Sequence, residues 1–112
     1  MSELSQRRCE PCEGGVEPLG AAAVAELMAS VHSDWKLKTN PDRIIRLVSF
    51  VGFNRPMAFA NAVAYIAGDQ GHHPQIRIAY GECEVEYYTH AIKGLSENDF
   101  ICAAKIDELL TD

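Results

Sequence analysis

Three histidines are the residues of this chain whose type and spacing suit proton transfer. His72 and His73 are adjacent and precede Pro74 in "GDQGHHPQIRIAY", and His90 lies further along the chain in "ECEVEYYTH". A free imidazole has a pKa of about 6.5, so it donates or accepts a proton near neutrality. A positioned acid or base commonly contributes roughly 10² to 10⁴ in rate. A pair of such groups can therefore run an acid step and a base step together.

The residues between the histidines predict how they meet. Pro74 ends the preceding helical pattern and restricts His73 to extended conformations. The alternating segments "QIRIAY" and "ECEVEYYTH" then predict two strands. If the turn between them falls near Gly81, antiparallel pairing brings positions 72–74 beside positions 88–90. The sequence thus predicts three imidazoles at one end of a β-hairpin.

The remaining patterns predict the elements that carry this hairpin. Helical periodicity begins near Pro18, near Asn54 as an N-cap, and at Ser96 as an N-cap, and the second helix ends at the glycines 68 and 71. "DWKLKTNPD" and "RIIRLVSFV" predict an earlier hairpin. The element order is α-β-β-α-β-β-α. The simplest packing is an α+β fold with a four-stranded antiparallel sheet and three helices on one face.

Length, composition and charge predict a single domain over residues 17–112 after a flexible N-terminal tail over residues 1–16. The chain has 112 residues, of which 47% are hydrophobic and 23% charged. Its net charge of −6 argues against direct nucleic-acid binding, because phosphate contacts need clustered Lys and Arg. Neither a membrane-spanning stretch nor a secretory signal is visible, so we expect a cytoplasmic protein without a membrane partner.

The four cysteines, at positions 9, 12, 83 and 102, are too few and too unevenly spread for a disulfide scaffold. We expect reduced thiols. "CEPC" has the spacing of half a structural zinc site, but the second pair of ligands is missing. The three histidines also have the residue type of a trihistidine zinc site, and metal analysis distinguishes that alternative. The prediction is a site without metal.

The spaced residues resemble the signature of the pterin-4a-carbinolamine dehydratases, also called the dimerisation cofactor family. "GHHPQIRIAY" is followed by His90 and then by Asp99. "DWKL", "FVGFNRPMAFANAVAYIA" and "HAIKGLSENDFICAAKID" stand where that family has its tryptophan strand, central helix and terminal helix. The resemblance covers about residues 19–110. It implies loss of water from 4a-hydroxytetrahydropterin to give quinonoid dihydropterin, in recycling of the cofactor for aromatic amino acid hydroxylases, with no metal or organic cofactor.

The resemblance also assigns roles to residues. His72, His73 and His90 would surround the reacting carbon, with His73 and His90 as acid and base in an order that the sequence leaves open. Apolar walls and backbone groups for substrate binding are assigned to Trp35, Gly71, Pro74 and Thr89. Orienting or capping roles are assigned to Asp69, Tyr80 and Asp99. One position departs from the family pattern, which usually has a charged or polar residue, most often Glu, where this chain has Gly68.

Several of these residues also have plain structural interpretations. Asp99 and Ser96 have the spacing of a capping box, His90 can continue the solvated strand face of Glu84 and Glu86, and Trp35 can be a core residue.

A binding module is a second class of function for this fold, although the presence of all three histidines favours the enzyme. Relatives of this family act as dimerisation cofactors of a homeodomain transcription factor or as assembly proteins, which leaves a non-catalytic binding module as the alternative. Because one face and the edges of the sheet are left open, we expect a homodimer or homotetramer.

Overall fold

Four strands and three helices follow one another in the predicted order in the computed structural model, which describes residues 3–11 and 14–110. The helices are α1 (Ala21–Met28), α2 (Asn54–Gln70) and α3 (Glu97–Glu108). The strands are β1 (Lys36–Lys38), β2 (Arg43–Ser49), β3 (Gln75–Ala79) and β4 (Glu82–Tyr87). Two short 3₁₀ helices lie at Leu4–Gln6 and His90–Ile92. The predicted α+β architecture is confirmed.

The sheet joins two hairpins through its middle strands. Its strand order is β1-β2-β4-β3, and all neighbours are antiparallel. The β3–β4 turn lies at Tyr80 and Gly81, and Gly81 has φ of +80°, a conformation that glycine adopts without steric cost. Gln75 pairs with Glu86, so the chain before β3 runs beside the chain after β4. The histidine segments are therefore brought to the same end of the hairpin.

The core lies between one face of the sheet and the helices. Because side chains alternate along a strand, β4 buries Cys83, Val85 and Tyr87 completely and directs its glutamates to the other face. Helix α3 is the most deeply buried helix among the described residues, with Asn98, Asp99 and most of the following two turns buried. This burial fixes α3, and hence its first turn, against the end of the sheet.

Helix boundaries differ from the predicted ones by a few residues. Helix α1 begins at Ala21 rather than near Pro18, because Pro18 packs closely on Gly94, where an added Cβ would come within 2.7 Å of the Pro18 ring. The N-cap of α2 is Phe53 and not Asn54. Gly71 ends α2 in the left-handed conformation, with φ of 66°, as predicted, whereas Gly68 lies inside the helix.

The N-terminal segment lies against the domain in its described part, residues 3–11. Leu4 and Ser5 are buried on α3, and Lys105 donates a hydrogen bond of 2.8 Å to the Ser5 carbonyl oxygen. Arg7 pairs with Glu97 at 2.8 Å. The tail predicted over residues 1–16 thus adds a layer over α3 in these residues.

The outer strands β1 and β3 each have one unpaired edge within the described sheet. Such edges suit pairing with another chain, and the expected homodimer or homotetramer stays a prediction. Across the two described ranges, no helix has both the length and the apolar character needed to cross a membrane.

Candidate active site

A cleft of about 350 Å³ opens at the end of the sheet where β3 begins and β4 ends. His72, His73 and His90 all line it, so the predicted grouping of the three imidazoles at this end of the hairpin is observed. The residues expected to bind substrate that also line it are Gly71, Pro74 and Thr89. Four lining residues were not assigned from the sequence: Glu10, Tyr88, Ala91 and Asn98.

The two adjacent histidines lie in the link between α2 and β3. Gly71 turns the chain out of the helix, and the His72 amide donates to the Ala67 carbonyl oxygen at 3.1 Å. Pro74 then leads directly into β3, which begins at Gln75. His72 turns inward, with only 12% of its side chain exposed, whereas His73 is exposed. The link therefore gives one largely enclosed and one accessible imidazole at the same cleft.

A buried carboxylate holds the inner imidazole. His72 Nε2 lies 2.6 Å from Asp99 Oδ1, and Asp99 is completely buried. The second oxygen, Oδ2, accepts hydrogen bonds from the Thr89 hydroxyl at 2.8 Å and from the Ser96 amide at 2.9 Å. A carboxylate offers acceptors only, so His72 Nε2 is the donor in this contact. The ring orientation of His72 is thus set by α3.

The aromatic neighbour of His72 restricts it from the other side. The Tyr87 ring stacks on the imidazole with centroids 5.3 Å apart and planes 13° apart. The Tyr87 hydroxyl donates to the His72 carbonyl oxygen at 3.1 Å. Burial raises the pKa of Tyr87 above its usual value, with further increases from its neighbour Cys102. Tyr87 therefore stays protonated and keeps this hydrogen bond over the range in which imidazoles titrate.

His90 reaches the cleft by a different route from the predicted one. The second strand was expected to run to His90, but β4 ends at Tyr87 and His90 begins a 3₁₀ helix. Thr89 forms an isolated bridge with Gly94, which closes this short excursion. The His90 ring packs on Tyr88 with centroids 4.1 Å apart and is exposed at the cleft. It therefore does not continue the glutamate face of the strand.

Four residues assigned by resemblance lie outside the cleft lining: Trp35, Asp69, Tyr80 and Asp99. Trp35 is 1% exposed, and its Nε1 donates to Asp107 at 2.8 Å; it precedes β1, which is separated from the β3–β4 hairpin by β2. The Asp69 carboxylate lies 3.4 Å from Arg8. Tyr80 is 79% exposed in the turn at the opposite end of the hairpin. At Gly68 an added Cβ would have no neighbour within 4 Å.

Asp99 combines the capping interpretation with a contact to the site. Both halves of the predicted capping box are present between Ser96 and Asp99. The same carboxylate binds His72 through its other oxygen. The structural and the functional interpretations of Asp99 therefore describe one side chain with two sets of bonds.

The sequence predicts reduced cysteines and a site without metal, and the structure shows the following contacts for these residues. Residues 3–11 and 14–110 contain no group of three or more His, Cys, Asp or Glu side chains arranged to hold a metal ion. Cys12, half of the "CEPC" pair, lies outside the described residues. Cys9 Sγ lies 3.5 Å from Cys102 Sγ. This hydrogen bond lowers the pKa of Cys9 and, together with burial, raises that of Cys102.

Comparison with known sequences gives consistent matches over the whole domain. The model of the family described as "Pterin 4 alpha carbinolamine dehydratase" matches residues 17–109. Relatives named "Putative pterin-4-alpha-carbinolamine dehydratase" match nearly the whole chain, among them the following three. That of Nitrosomonas eutropha is 50% identical, covering 98% of this chain and 96% of the relative. That of Legionella pneumophila (strain Corby) is 46% identical, covering 99% and 98%. That of Rickettsia canadensis is 42% identical, covering 96% and 97%.

Two solved structures share the fold at lower identity. A crystal structure of a transcriptional coactivator/pterin dehydratase from Brucella melitensis has a TM-score of 0.78 and 24% identity, covering 85% of this chain and 100% of that one. A pterin dehydratase-like protein identified as a RuBisCO assembly factor in the alpha-carboxysome has a TM-score of 0.60 and 23% identity, covering 70% and 90%. Both likenesses concern the fold.

Proposed function

The chain belongs to the pterin 4 alpha carbinolamine dehydratase family, and on this premise we propose that it removes water from 4a-hydroxytetrahydropterin by histidine general acid/base catalysis. The product is quinonoid dihydropterin, and the physiological setting is recycling of the pterin cofactor for aromatic amino acid hydroxylation. One observation supports the proposal above all others: His72, His73 and His90 line a single cleft.

The reaction needs two proton transfers. A base removes the proton from the ring nitrogen beside the reacting carbon, and the electron pair left behind forms the carbon–nitrogen double bond. The carbon–oxygen bond breaks, and an acid protonates the departing hydroxyl, which leaves as water. One imidazole takes up a proton and the other gives one up in each turnover, and exchange with each other or with water returns both to their starting states.

The three histidines differ in exposure and in contacts, and we assign their roles accordingly. His73 and His90 are exposed to the cleft, so either can reach a bound substrate, and we assign the acid and base roles to this pair. His72 is held by Asp99 and stacked on Tyr87, so it offers the substrate an imidazole of fixed orientation. Pro74 contributes an apolar wall, and the backbone at Gly71 and Thr89 contributes polar groups along the edge of the ring.

Turnover of freshly made carbinolamine tests the proposal directly. Ultraviolet absorbance follows the appearance of quinonoid dihydropterin with wild type, His73→Ala, His90→Ala and a control, His32→Ala, whose imidazole does not line the cleft. We expect wild type and the control to exceed the spontaneous rate, and each cleft variant to lose about 10²-fold or more. A wild-type rate equal to the spontaneous one would contradict the proposal.

A non-catalytic binding module is the second candidate. Solved structures with this fold are described as a transcriptional coactivator and as a RuBisCO assembly factor, so the fold is compatible with a protein partner. On the sheet face away from the helices, Leu47 is 49% exposed and offers an apolar contact. The three histidines in one cleft favour the enzyme, and absence of turnover in wild type would favour the binding module.

A further inference from the structure

We infer that Glu10, which the N-terminal segment brings into the cleft, binds the amino-pyrimidine edge of the pterin with its carboxylate. The inference rests on the proposed function, because it names a contact to the same substrate in the same cleft. It adds a residue outside the matched range 17–109 to the substrate site. It also gives the segment before the domain a role in recognition.

The backbone of Glu10 is fixed at the cleft by Asn98. The Glu10 amide donates to Asn98 Oδ1 at 3.0 Å, and Asn98 Nδ2 donates to the Glu10 carbonyl oxygen at 2.6 Å. Asn98 is 6% exposed and lies in the first turn of α3, next to Asp99. The turn that orients His72 through Asp99 therefore also positions Glu10 through Asn98. Both residues line one cleft because one helix start holds both.

The residues just before Glu10 attach the segment to the end of α2. The Cys9 amide donates to Gln70 Oε1 at 2.8 Å, and Arg8 donates to the Asp69 carbonyl oxygen at 3.0 Å. The segment thus spans from the last turn of α2 to the first turn of α3. These two turns border the cleft, since the lining residue His72 follows the first and the lining residue Asn98 lies in the second.

The carboxylate of Glu10 supplies a chemistry that the rest of the lining lacks. Among the described lining residues, Glu10 carries the one carboxylate, because the others are imidazoles, amide, phenol, hydroxyl and apolar groups. Within the described parts of the chain, the hydrogen bonds of Glu10 are made by its backbone alone. The amino group of a pterin and the neighbouring ring N–H are two donors side by side, and a carboxylate accepts two such bonds.

Binding of two probes distinguishes recognition from a general charge effect. The probes are 7,8-dihydropterin, which carries the amino group, and 7,8-dihydrolumazine, which has a carbonyl in its place. Their dissociation constants are measured for wild type, Glu10→Gln, and the matched control Glu3→Gln, an exposed carboxylate on the same segment outside the cleft. We expect Glu10→Gln to weaken dihydropterin binding roughly tenfold and to change dihydrolumazine binding little. Glu3→Gln should change neither.

The thermal midpoint of unfolding tests whether weaker binding comes from a destabilised fold. Because Asn98 binds backbone atoms of Glu10, Glu10→Gln should keep the wild-type midpoint, and Glu10→Ala should show the same loss of discrimination between the probes. Equal affinities of wild type and Glu10→Gln for dihydropterin, or equal losses for both probes, would overturn the inference. So would a wild type that binds no dihydropterin.

Turnover separates failure of the inference from failure of the proposed function. Dehydration by wild type with unchanged probe affinities in Glu10→Gln would leave the function in place and remove the role of Glu10. Selective loss of dihydropterin binding in Glu10→Gln, without dehydration by wild type, would keep the pterin contact and remove the reaction.

Discussion

A single carboxylate does two jobs at the start of α3. Asp99 closes the capping box with Ser96 and orients His72, and it accepts a third bond from Thr89. Because each oxygen faces hydrogen-bond donors, an amide in the same place must turn an NH₂ group toward one of them. The helix start and the imidazole therefore both depend on the two acceptor oxygens of this one side chain.

We predict that Asp99→Asn and His72→Ala each lower kcat, by about 10²-fold where the orientation of the imidazole is lost. The kcat of the double variant should be no lower than that of the less active single variant, because the effects of residues that act as a unit are not additive. Turnover of the carbinolamine measures all three. Glu97→Gln, in the same helical turn with its carboxylate on the exposed Arg7, is the control. Multiplied losses in the double variant would show that Asp99 and His72 act independently.

The sequence could predict part of this arrangement. The Ser96-to-Asp99 spacing predicts the capping box, and the histidines with Pro74 predict their own grouping. The bond between Asp99 and His72 depends on how α3 docks, which local periodicity does not contain. Glu10 was missed altogether, because the residues around it carry no periodic pattern, and its position follows from Asn98, far along the chain.

At the scale of elements, the alternation of residue types predicts a longer β4 than the structure has. Alternating residues continue to His90, so the pattern extends the strand that far. In the structure β3 begins at Gln75, and Pro74, opposite Tyr87, has no amide to donate to a ladder. The pairing stops there, and the chain is free to turn into the 3₁₀ helix that carries His90. The start of β3 therefore determines where β4 ends.

A second element contact joins β2 to the last turns of α3. Asp107 accepts hydrogen bonds from Trp35 Nε1 and from the His32 amide, each at 2.8 Å, and pairs with Arg46, whose side chain is 7% exposed. The resemblance placed Trp35 against the substrate. Its interaction with Asp107 could not be predicted, because it bridges the start of the sheet and the final helix.

We predict that Asp107→Ala lowers the free energy of unfolding by about 3 kcal/mol, because it leaves the Arg46 guanidinium buried without its partner. The Nε of Arg46 already lacks a hydrogen-bond partner within the described residues. Urea unfolding followed by fluorescence of Trp35, the single tryptophan, measures the change. Asp34→Ala, at an exposed carboxylate, is the control. A loss below about 0.5 kcal/mol, within the range of surface substitutions, would contradict the prediction.

At the scale of the whole molecule, buried acids link stability to pH. Burial raises the pKa of Tyr87 and of Cys83, and the bond to Cys9 with burial raises that of Cys102. The unfolded chain releases these protons at the ordinary values of 10.0 for tyrosine and 9.0 for cysteine. Above those values the folded state keeps these protons and the unfolded state releases them, so the stability that these three groups contribute is complete below those values and falls as pH rises.

We predict that the thermal midpoint declines between about pH 9 and pH 11. Tyr87→Phe removes one of the titrating protons, so above about pH 10 its free energy of unfolding should fall less steeply, by roughly 1.4 kcal/mol per pH unit, and its midpoint should decline less than that of wild type. Thermal unfolding in the presence of a reductant measures it. Tyr80→Phe, at a tyrosine that is 79% exposed, should keep the wild-type slope. Equal slopes in the two variants would show that burial of Tyr87 does not contribute.

The fold as a whole was within reach of the sequence, and the reasons are local. Period-2 alternation in β4, the left-handed Gly71 and the Ser96 capping box each specify one element, and hairpin connections make the neighbours antiparallel. The β2–β4 pairing, which completes the sheet order, joins segments that no turn connects. It follows from packing of the apolar faces against α3.

Because the helix and the imidazole share one carboxylate, few substitutions can remove the activity of this fold without also destabilising it. A protein engineer who wants an inert carrier of the same shape should alter the accessible His73 or His90 and keep Asp99, because replacing the acid removes a helix cap along with the chemistry. Lineages that abandon the reaction face the same asymmetry. We expect them to shed the two surface imidazoles first and to retain the buried acid longest.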